Sequence, residues 1–161
     1  MAVLLGGIGA ARRRTESADA SSEIKKVLKL AFPKIKFSVR KRAGGNSITI
    51  EWENGPTVRE VQAYTKDFEM GSFDGMTDMY TYDNRNKNIP QVKYLFYNRY
   101  MSKKLEEFLR AEITKGWNFD NMKDWEKEAA IEREMRKDFN STSLPAGLAG
   151  FNRKKIGFVK L

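Results

Sequence analysis

The stretch that decides the fold runs from Ile35 to Glu53 and reads IKFSVRKRAGGNSITIEWE. Apolar residues take alternate positions on both sides of a Gly-Gly pair: Ile35, Phe37 and Val39 before it, and Ile48, Ile50 and Trp52 after it. This alternation is typical of two strands that bury one face, and the glycines suit the turn between them. The stretch therefore predicts a β-hairpin in which odd positions of the first strand oppose even positions of the second.

A helix is predicted on each side of this hairpin. The first is capped by Ser21-Ser22 and ended by Pro33, and the second begins with a capping box formed by Thr57 and Glu60. Their apolar stripes follow helical spacing: Ile24, Val27, Leu28 and Ala31 in the first, and Val58, Val61, Tyr64 and Phe68 in the second. Each stripe can therefore pack on the buried face of a sheet.

The later segments suggest a second helix-hairpin unit. Strands are predicted over 79–82 and 92–101, with the polar residues 83–88 as the loop between them. The predicted fold class is α+β, with an α-β-β-α-β-β antiparallel sheet that has its helices on one face, followed by a C-terminal helical extension. Such a sheet leaves its second face free to meet a partner.

Composition shifts divide the chain into four parts. We expect a mobile N-terminal tail at 1–20, the α+β domain at 21–101, a two-helix extension at 102–140 and a basic C-terminal tail at 141–161. The extension holds one helix capped by Ser102 and another over 121–139, and the tail ends in a short strand over 156–160. The apolar run near the N-terminus fits neither a secretory signal nor a membrane span, so no membrane association is expected.

The residue types exclude most enzyme chemistry. The 161 residues include no His and no Cys, which removes imidazole bases, thiolate nucleophiles and Cys/His metal sites. Asp74 and Asp78 flank a glycine and are expected to satisfy backbone amides in a turn rather than hold a cation. Glu51 and Glu53 lack the lysine of a metal nuclease in their strand. We therefore expect no enzyme activity, no catalytic residue, no metal and no cofactor.

Positive charge is the strongest functional signal. The net charge is +9, and eight Lys or Arg with no acid lie between Lys25 and Arg42. Such a field favours a polyanionic partner. The candidate phosphate-binding residues are Lys25, Lys26, Lys29, Arg40, Lys41 and Arg42, joined by Arg153, Lys154 and Lys155 of the tail. Lys36 is expected near Glu51 or Glu53, whereas Arg40, Lys41 and Arg42 have no such partner and are the better candidates.

Aromatic residues suggest two further surfaces. The strand over 92–101 interleaves Tyr94, Phe96, Tyr97 and Tyr100 with Lys93 and Arg99. Tyr97 and Arg99 are therefore candidates for stacking on single-stranded bases. The alternative is a central strand packed on both faces, since aromatic residues favour strands in any case. The last helix has a broad apolar arc near Trp117 and Trp125, which either packs on the sheet or contacts a protein partner or a second copy of the chain.

Together these segments resemble a known family, the twenty-ninth of the large polyvalent protein-associated domains. The resemblance covers residues from near Glu23 to near Ser102 and rests on these motifs: Ala31-Phe32-Pro33, Lys36-Phe37-Ser38-Val39-Arg40, the Gly-Gly turn with Ile48-x-Ile50-x-Trp52, Gly55-Pro56-Thr57, Val61, Phe68, the run from Phe73 to Asp78, and Tyr82. It implies an origin in a phage or conjugative element and a role in counter-defence, and it carries over no catalytic residue.

Two functions follow from the sequence. The first is a non-enzymatic nucleic-acid-associated accessory protein of a mobile genetic element, which binds the phosphates of DNA or RNA through its basic face. The second is a counter-defence inhibitor, of the anti-CRISPR or anti-restriction type, which contacts an acidic or nucleic-acid-binding host protein complex. Either function places the protein in the host cytoplasm.

Overall fold

The computed structural model describes residues 16–144, with the side chain of residue 16 excluded. The α+β class is confirmed. The elements in chain order are α1 (Glu16–Ala31), β1 (Phe37–Lys41), β2 (Ser47–Glu53), α2 (Val58–Thr65), a 3₁₀ turn (Lys66–Phe68), β3 (Ser72–Asp74), β4 (Met79–Thr81), β5 (Tyr94–Tyr100), α3 (Lys103–Gly116) and α4 (Asp124–Ser141).

In the described part of the chain, the main sheet has three strands in the order β1-β2-β5. β1 and β2 form the predicted hairpin, in which Val39 lies opposite Ile50 and Arg40 opposite Thr49. The predicted odd-to-even register is therefore confirmed. β5 lies on the other side of β2 and runs parallel to it, with Thr49 beside Phe96.

The predicted single antiparallel sheet is wrong, because β4 does not pair with β5. β4 pairs instead with β3, a segment predicted as loop, and the two form a separate two-stranded sheet. The polar connection before β5 is held by side-chain amides: Gln91 Nε2 donates to Asp67 O at 2.7 Å and to Asn84 O at 2.8 Å. This long crossover, with α2 in it, brings β5 back parallel to β2, as a parallel pair requires.

The first helix starts earlier than predicted. α1 begins at Glu16, so the Ser21-Ser22 cap is wrong and the predicted boundary at residue 20 lies inside the helix. Ala20 is fully buried, and Ser21 Oγ donates to Ala18 O at 3.0 Å within the helix. The serine pair resembles an N-cap, but it follows a turn of helix whose apolar residue Ala20 packs in a hydrophobic core with residues of the sheet.

The other two caps are confirmed. Thr57 Oγ1 accepts from Glu60 N at 3.3 Å, and Glu60 Oε2 accepts from Thr57 N at 2.7 Å, which completes the capping box of α2. Ser102 Oγ accepts from Leu105 N at 3.3 Å and caps α3. α4 begins at Asp124, a few residues later than predicted.

Residues 16–144 form two separate hydrophobic cores. The first lies between α1, α2 and one face of the sheet, and its buried members are Ala20, Ile24, Leu28, Phe32, Val39, Ile48, Ile50, Trp52, Val61, Phe68, Val92 and Leu95. The second lies between α3 and α4, and its buried members are Leu105, Leu109, Ile113, Ile131, Met135, Phe139 and Leu144. The helical extension therefore packs mainly on itself.

The predicted tail boundary also differs from the structure. Ser141 is the last residue of α4, and Leu144 is buried in the second core with its N–H donating to Gly55 O at 2.8 Å. Residues 1–15 and the remainder of the predicted basic tail, including its final strand, lie outside the described residues. Among the helices of residues 16–144, none is both long and apolar enough to cross a bilayer.

Candidate nucleic-acid interface

The second face of the main sheet carries no helix within residues 16–144. Successive residues of a strand point to opposite faces, so Val39, Ile50 and Leu95 face the first core. Their neighbours in the sequence therefore face outward. We call this surface the open face, and its residues are Ser38, Arg40, Ser47, Thr49, Glu51, Tyr94, Phe96, Asn98 and Tyr100.

Three exposed cations mark the end of β1. Arg40, Lys41 and Arg42 are all exposed, and we call them the turn cations. They precede a turn in which Gly44 and Gly45 adopt φ of +95° and +74°, a backbone conformation that residues with a Cβ rarely adopt. Among the described residues, no carboxylate forms an ion pair with any of the three. The three cations thus have no carboxylate partner in this part of the chain, and their role in phosphate binding stays a prediction.

The remaining predicted phosphate contacts do not converge on the turn. Lys25, Lys26 and Lys29 are exposed on α1, in the helical layer, whereas Arg40 belongs to the open face of the sheet. Lys26 is also paired with Glu23, at 2.7 Å between Nζ and Oε1. Arg153, Lys154 and Lys155 lie outside the described residues. The predicted basic surface is therefore divided between two layers of the fold.

The expected neutralisation of Lys36 does not occur in this part of the chain. No ion pair joins Lys36 to either carboxylate of β2 among residues 16–144. Glu51 instead accepts from Tyr100 Oη at 3.2 Å and lies beside Asn98. The end of the open face near Glu51 is therefore acidic, and the end near the turn is basic.

Tyr97 and Arg99 face the interior, which corrects their prediction as stacking residues. Tyr97 packs against the first core, and its Oη lies 2.9 Å from Thr65 Oγ1. Burial raises the pKa of Tyr97 to about 12. Tyr97 is thus half-buried on the helix-covered face, with its ring packed against the first core.

Arg99 joins the two cores instead of meeting a ligand. Its guanidinium group donates to Asn54 O at 2.5 Å, Gly55 O at 2.9 Å and Thr142 O at 2.8 Å, and also to Phe139 O. Burial lowers the pKa of Arg99 to about 10, although the nearby carboxylate of Glu60 acts in the opposite direction. All of these acceptors are backbone carbonyls, so the side chain fixes the end of α4 to the sheet.

Tyr100 lies at the acidic end of the open face, and the other two rings of β5 that reach this face are Tyr94 and Phe96. They are stacked with centroids 6.3 Å apart and planes at 23°, and Phe96 is 42% exposed. The row continues into β4, since Tyr80 meets Tyr94 at 5.2 Å and Tyr82 at 4.8 Å, both edge to face. We call Phe96, Tyr94, Tyr80 and Tyr82 the aromatic row.

A cation lies over each ring of this row. Arg42 lies 5.2 Å from the centroid of Phe96, and Arg85 lies 4.9 Å from that of Tyr82. Lys93 lies between them, 4.7 Å from the centroid of Tyr80 and 5.2 Å from that of Tyr94. Positive charge and aromatic rings therefore occur together at the basic end of the open face.

Sequence reasoning missed this row because both faces of β5 carry aromatic residues. Tyr94 and Phe96 alternate with Leu95 and Tyr97, so the pattern of β5 alone does not show which set is buried. The register of β5 with β2 shows which of its side chains face outward, but that register can be assigned only once the parallel pairing is known. Tyr80 and Tyr82 lie in the predicted strand over 79–82, and nothing in the sequence indicates that their rings contact Tyr94.

The loop carboxylates have the predicted structural role at Asp74. Its Oδ1 accepts from Met76 N at 2.9 Å and its Oδ2 from Thr77 Oγ1 at 2.8 Å. These hydrogen bonds lower the pKa of Asp74. Asp78 contributes a left-handed backbone position, with φ of 53°. Within residues 16–144, no group of three or more carboxylates is arranged to hold a metal ion.

Comparison with known proteins identifies the family. The family model described as large polyvalent protein associated domain 29 matches residues 15–107, which is more than half of the chain. The chain belongs to this family, and that membership fits a protein associated with a phage or another mobile element. No curated protein and no solved structure matches the chain.

Proposed function

We propose that this chain is a non-enzymatic nucleic-acid-associated accessory protein of a phage or plasmid, acting in the host cytoplasm. The observation that carries the proposal is the set of turn cations, which are exposed and without an ion pair among residues 16–144. Cations with no carboxylate partner attract phosphate without first losing an ion pair.

The surroundings of the turn strengthen this proposal. Arg42 N donates to Ser47 O at 3.0 Å and Gly45 N donates to Arg42 O at 3.1 Å, so the backbone beneath the cations is held in place. By contrast, cations of the helical extension form ion pairs, such as Arg110 with Glu128 at 2.6 Å and Lys137 with Glu134 at 3.7 Å. Positive field is therefore concentrated on the α+β domain.

A pair of charge reversals tests the proposal and locates the contact. The turn variant replaces Arg40, Lys41 and Arg42 by Glu. The helix variant replaces Lys25, Lys26 and Lys29 by Glu and changes the net charge by the same amount. Binding of labelled DNA and RNA is measured by fluorescence anisotropy between about 50 and 200 mM salt, because each phosphate contact releases a counterion.

The turn variant is expected to lose binding by about a hundredfold and to flatten the salt dependence. The helix variant is expected to lose less than about tenfold, because it alters only the long-range field. A larger loss in the helix variant would move the contact to α1. Failure of the wild-type chain to bind any nucleic acid at low salt would remove the proposed function.

The second function, a counter-defence inhibitor of a host nucleic-acid-handling complex, uses the same cations against an acidic protein surface. One observation favours a protein contact: Trp125 on α4 is 67% exposed, outside the second core. Capture of a host complex from nuclease-treated lysate, lost in both the turn variant and Trp125→Ala, would support this function. Light scattering on the purified chain separates such a contact from self-association.

A further inference from the structure

We infer that the aromatic row binds the bases of single-stranded nucleic acid, with the turn cations and their neighbours holding the flanking phosphates. This inference rests on the proposed function and deepens it, since it names the strand type and a second set of contact residues. DNA and RNA share the chemistry concerned, a planar base attached to a phosphate backbone.

Exposure and charge together support a ligand with both flat and anionic parts. Phe96 is 42% exposed and Tyr82 is 49% exposed, and they are the two outer rings of the row. Each is accompanied by its own arginine, Arg42 and Arg85 respectively. A nucleotide has the complementary pair of groups, because its base can stack on a ring while its phosphate meets the guanidinium group.

The cations over the rings do not prevent stacking. A cation–π contact at an exposed site is weak, whereas a base stacked on an aromatic ring contributes about two- to three-fold more free energy. When a base stacks on the ring, the cation can therefore leave the ring and contact the phosphate with a net gain in free energy. The side chains of Arg42 and Lys93 remain close enough to contact the adjoining phosphates.

The ends of the site are also defined. Tyr100 lies on the same face of the same strand and is 52% exposed, but it donates to the carboxylate of Glu51. Because a carboxylate repels phosphate, we expect the bound single-stranded nucleic acid to run from Phe96 toward Tyr82 and away from Tyr100. Tyr80 is the structural member of the row, since its Oη donates to Lys93 O at 2.5 Å.

Duplex nucleic acid provides the internal contrast. Its bases are already stacked on each other, so a duplex offers phosphates to the cations but no base to the rings. Removal of a ring is therefore expected to weaken binding of single strands while leaving duplex binding unchanged. Removal of a turn cation weakens both.

The test compares Phe96→Ala with Tyr100→Ala in the full chain. The probes are unstructured oligo(dT) and oligo(U) of about 12 nucleotides and a blunt duplex of similar length. Phe96→Ala is expected to weaken single-strand binding by about tenfold, with duplex binding and the salt dependence unchanged. Tyr100→Ala is expected to change neither, because its ring lies at the acidic end of the face.

A second variant controls for loss of folding in Phe96→Ala. Phe96→Leu keeps apolar bulk on β5 but removes the flat ring, and a melt recorded by circular dichroism checks that each variant remains folded. A tenfold loss for single strands in Phe96→Leu supports the inference, and the tighter of the two probes identifies DNA or RNA as the source of the bases.

Three outcomes separate the two proposals. Unchanged single-strand binding in folded Phe96→Leu overturns the stacking inference while leaving phosphate binding intact. Equal losses for duplex and single strand overturn it in the same way, since they indicate a general change of the surface. Failure of the wild-type chain to bind any of the three probes overturns the proposed function itself.

Discussion

Aromatic residues lie on both faces of β5, and the two faces have opposite roles. The inward face presents Tyr97 and Arg99, and the outward face presents Tyr94 and Phe96. The inward tyrosine hydrogen-bonds to Thr65 and the inward arginine donates to four backbone carbonyls. The outward rings instead contact each other, Tyr80 and the neighbouring cations. An aromatic residue of β5 thus stabilises the fold or remains available for a ligand according to its parity in the strand.

Deletion of the helical extension, which Arg99 joins to the sheet, is the largest expected change. Truncation after Met101 removes the second core, but every buried member of the first core lies before that residue. The fragment is expected to melt cooperatively, with Tm lower by roughly 15 °C, because an 80-residue domain has little stability to spare. Circular dichroism records the transition, and a fragment with no transition would show that the helical extension is part of the folding unit.

Arg99→Leu is expected to be the most damaging single substitution. It leaves four backbone carbonyls without their donor and separates α4 from the sheet. The free energy of unfolding should fall by about 3 kcal/mol. Arg40→Leu on the outward face is the matched control, expected within about 0.5 kcal/mol of wild type in urea titration. Equal losses in the two variants would contradict the assignment of roles by parity.

Tyr97→Phe removes only a hydroxyl from the inward face. Because the Oη of Tyr97 and Thr65 Oγ1 are hydrogen-bonded at 2.9 Å, the loss should cost about 1 kcal/mol and leave nucleic-acid binding unchanged. The corresponding change at the outward ring, Tyr94→Phe, should cost less than about 0.5 kcal/mol. Weakened single-strand binding in folded Tyr97→Phe would show that the inward ring takes part in recognition after all.

Glu69→Gln is expected to have the smallest effect on stability. Glu69 lies beside the edge of β5, where its carboxylate accepts a hydrogen bond from the backbone of Leu95. Burial raises the pKa of Glu69, while the hydrogen bond that it accepts from Leu95 N at 2.9 Å opposes the rise. A raised carboxyl pKa means that the folded state favours the protonated form, so the stability of wild type declines as pH rises through the folded pKa. The substitution keeps an acceptor for Leu95 and removes the charge.

The Glu69→Gln variant should therefore have the higher Tm at neutral pH, and the difference should vanish below the unfolded pKa of about 4.3. Glu53→Gln, at an exposed position of β2, controls for the loss of one charge. Melts recorded from pH 3 to pH 8 decide the matter. A Tm difference that grows as pH falls would reverse the sign and contradict the prediction.

The local elements were largely predictable because their signals lie within a few residues of one another. The β1–β2 register follows from alternation around Gly44 and Gly45, and the α2 cap follows from Thr57 and Glu60, three residues apart. The start of α1 was not predictable from the same rules, since Ser21 matches a cap and yet lies inside the helix. Burial of Ala20 against the sheet, a tertiary contact, outweighs that local preference.

The candidate site divides in the same way. Arg40, Lys41 and Arg42 stand out in the sequence because no acid lies near them, and the structure leaves all three exposed. The aromatic row joins residues from β4 and β5, whose rings meet only because the chain from β4 to β5 crosses over without a hairpin. No spacing rule connects such residues, since their contact depends on the path of the intervening segment.

By itself the sequence determined the α+β class, the β1–β2 hairpin, the caps of α2 and α3, and a concentrated positive charge without carboxylate neighbours. Each of these depends on side-chain periodicity or on groups close together in the chain. Only the tertiary structure decided that β5 pairs parallel to β2, that Arg99 and Tyr97 face inward, and that Phe96 and Tyr94 face out. The physical reason is that a strand with apolar and aromatic residues at both parities has no intrinsic inside, so its orientation is set by the long-range partners it packs against.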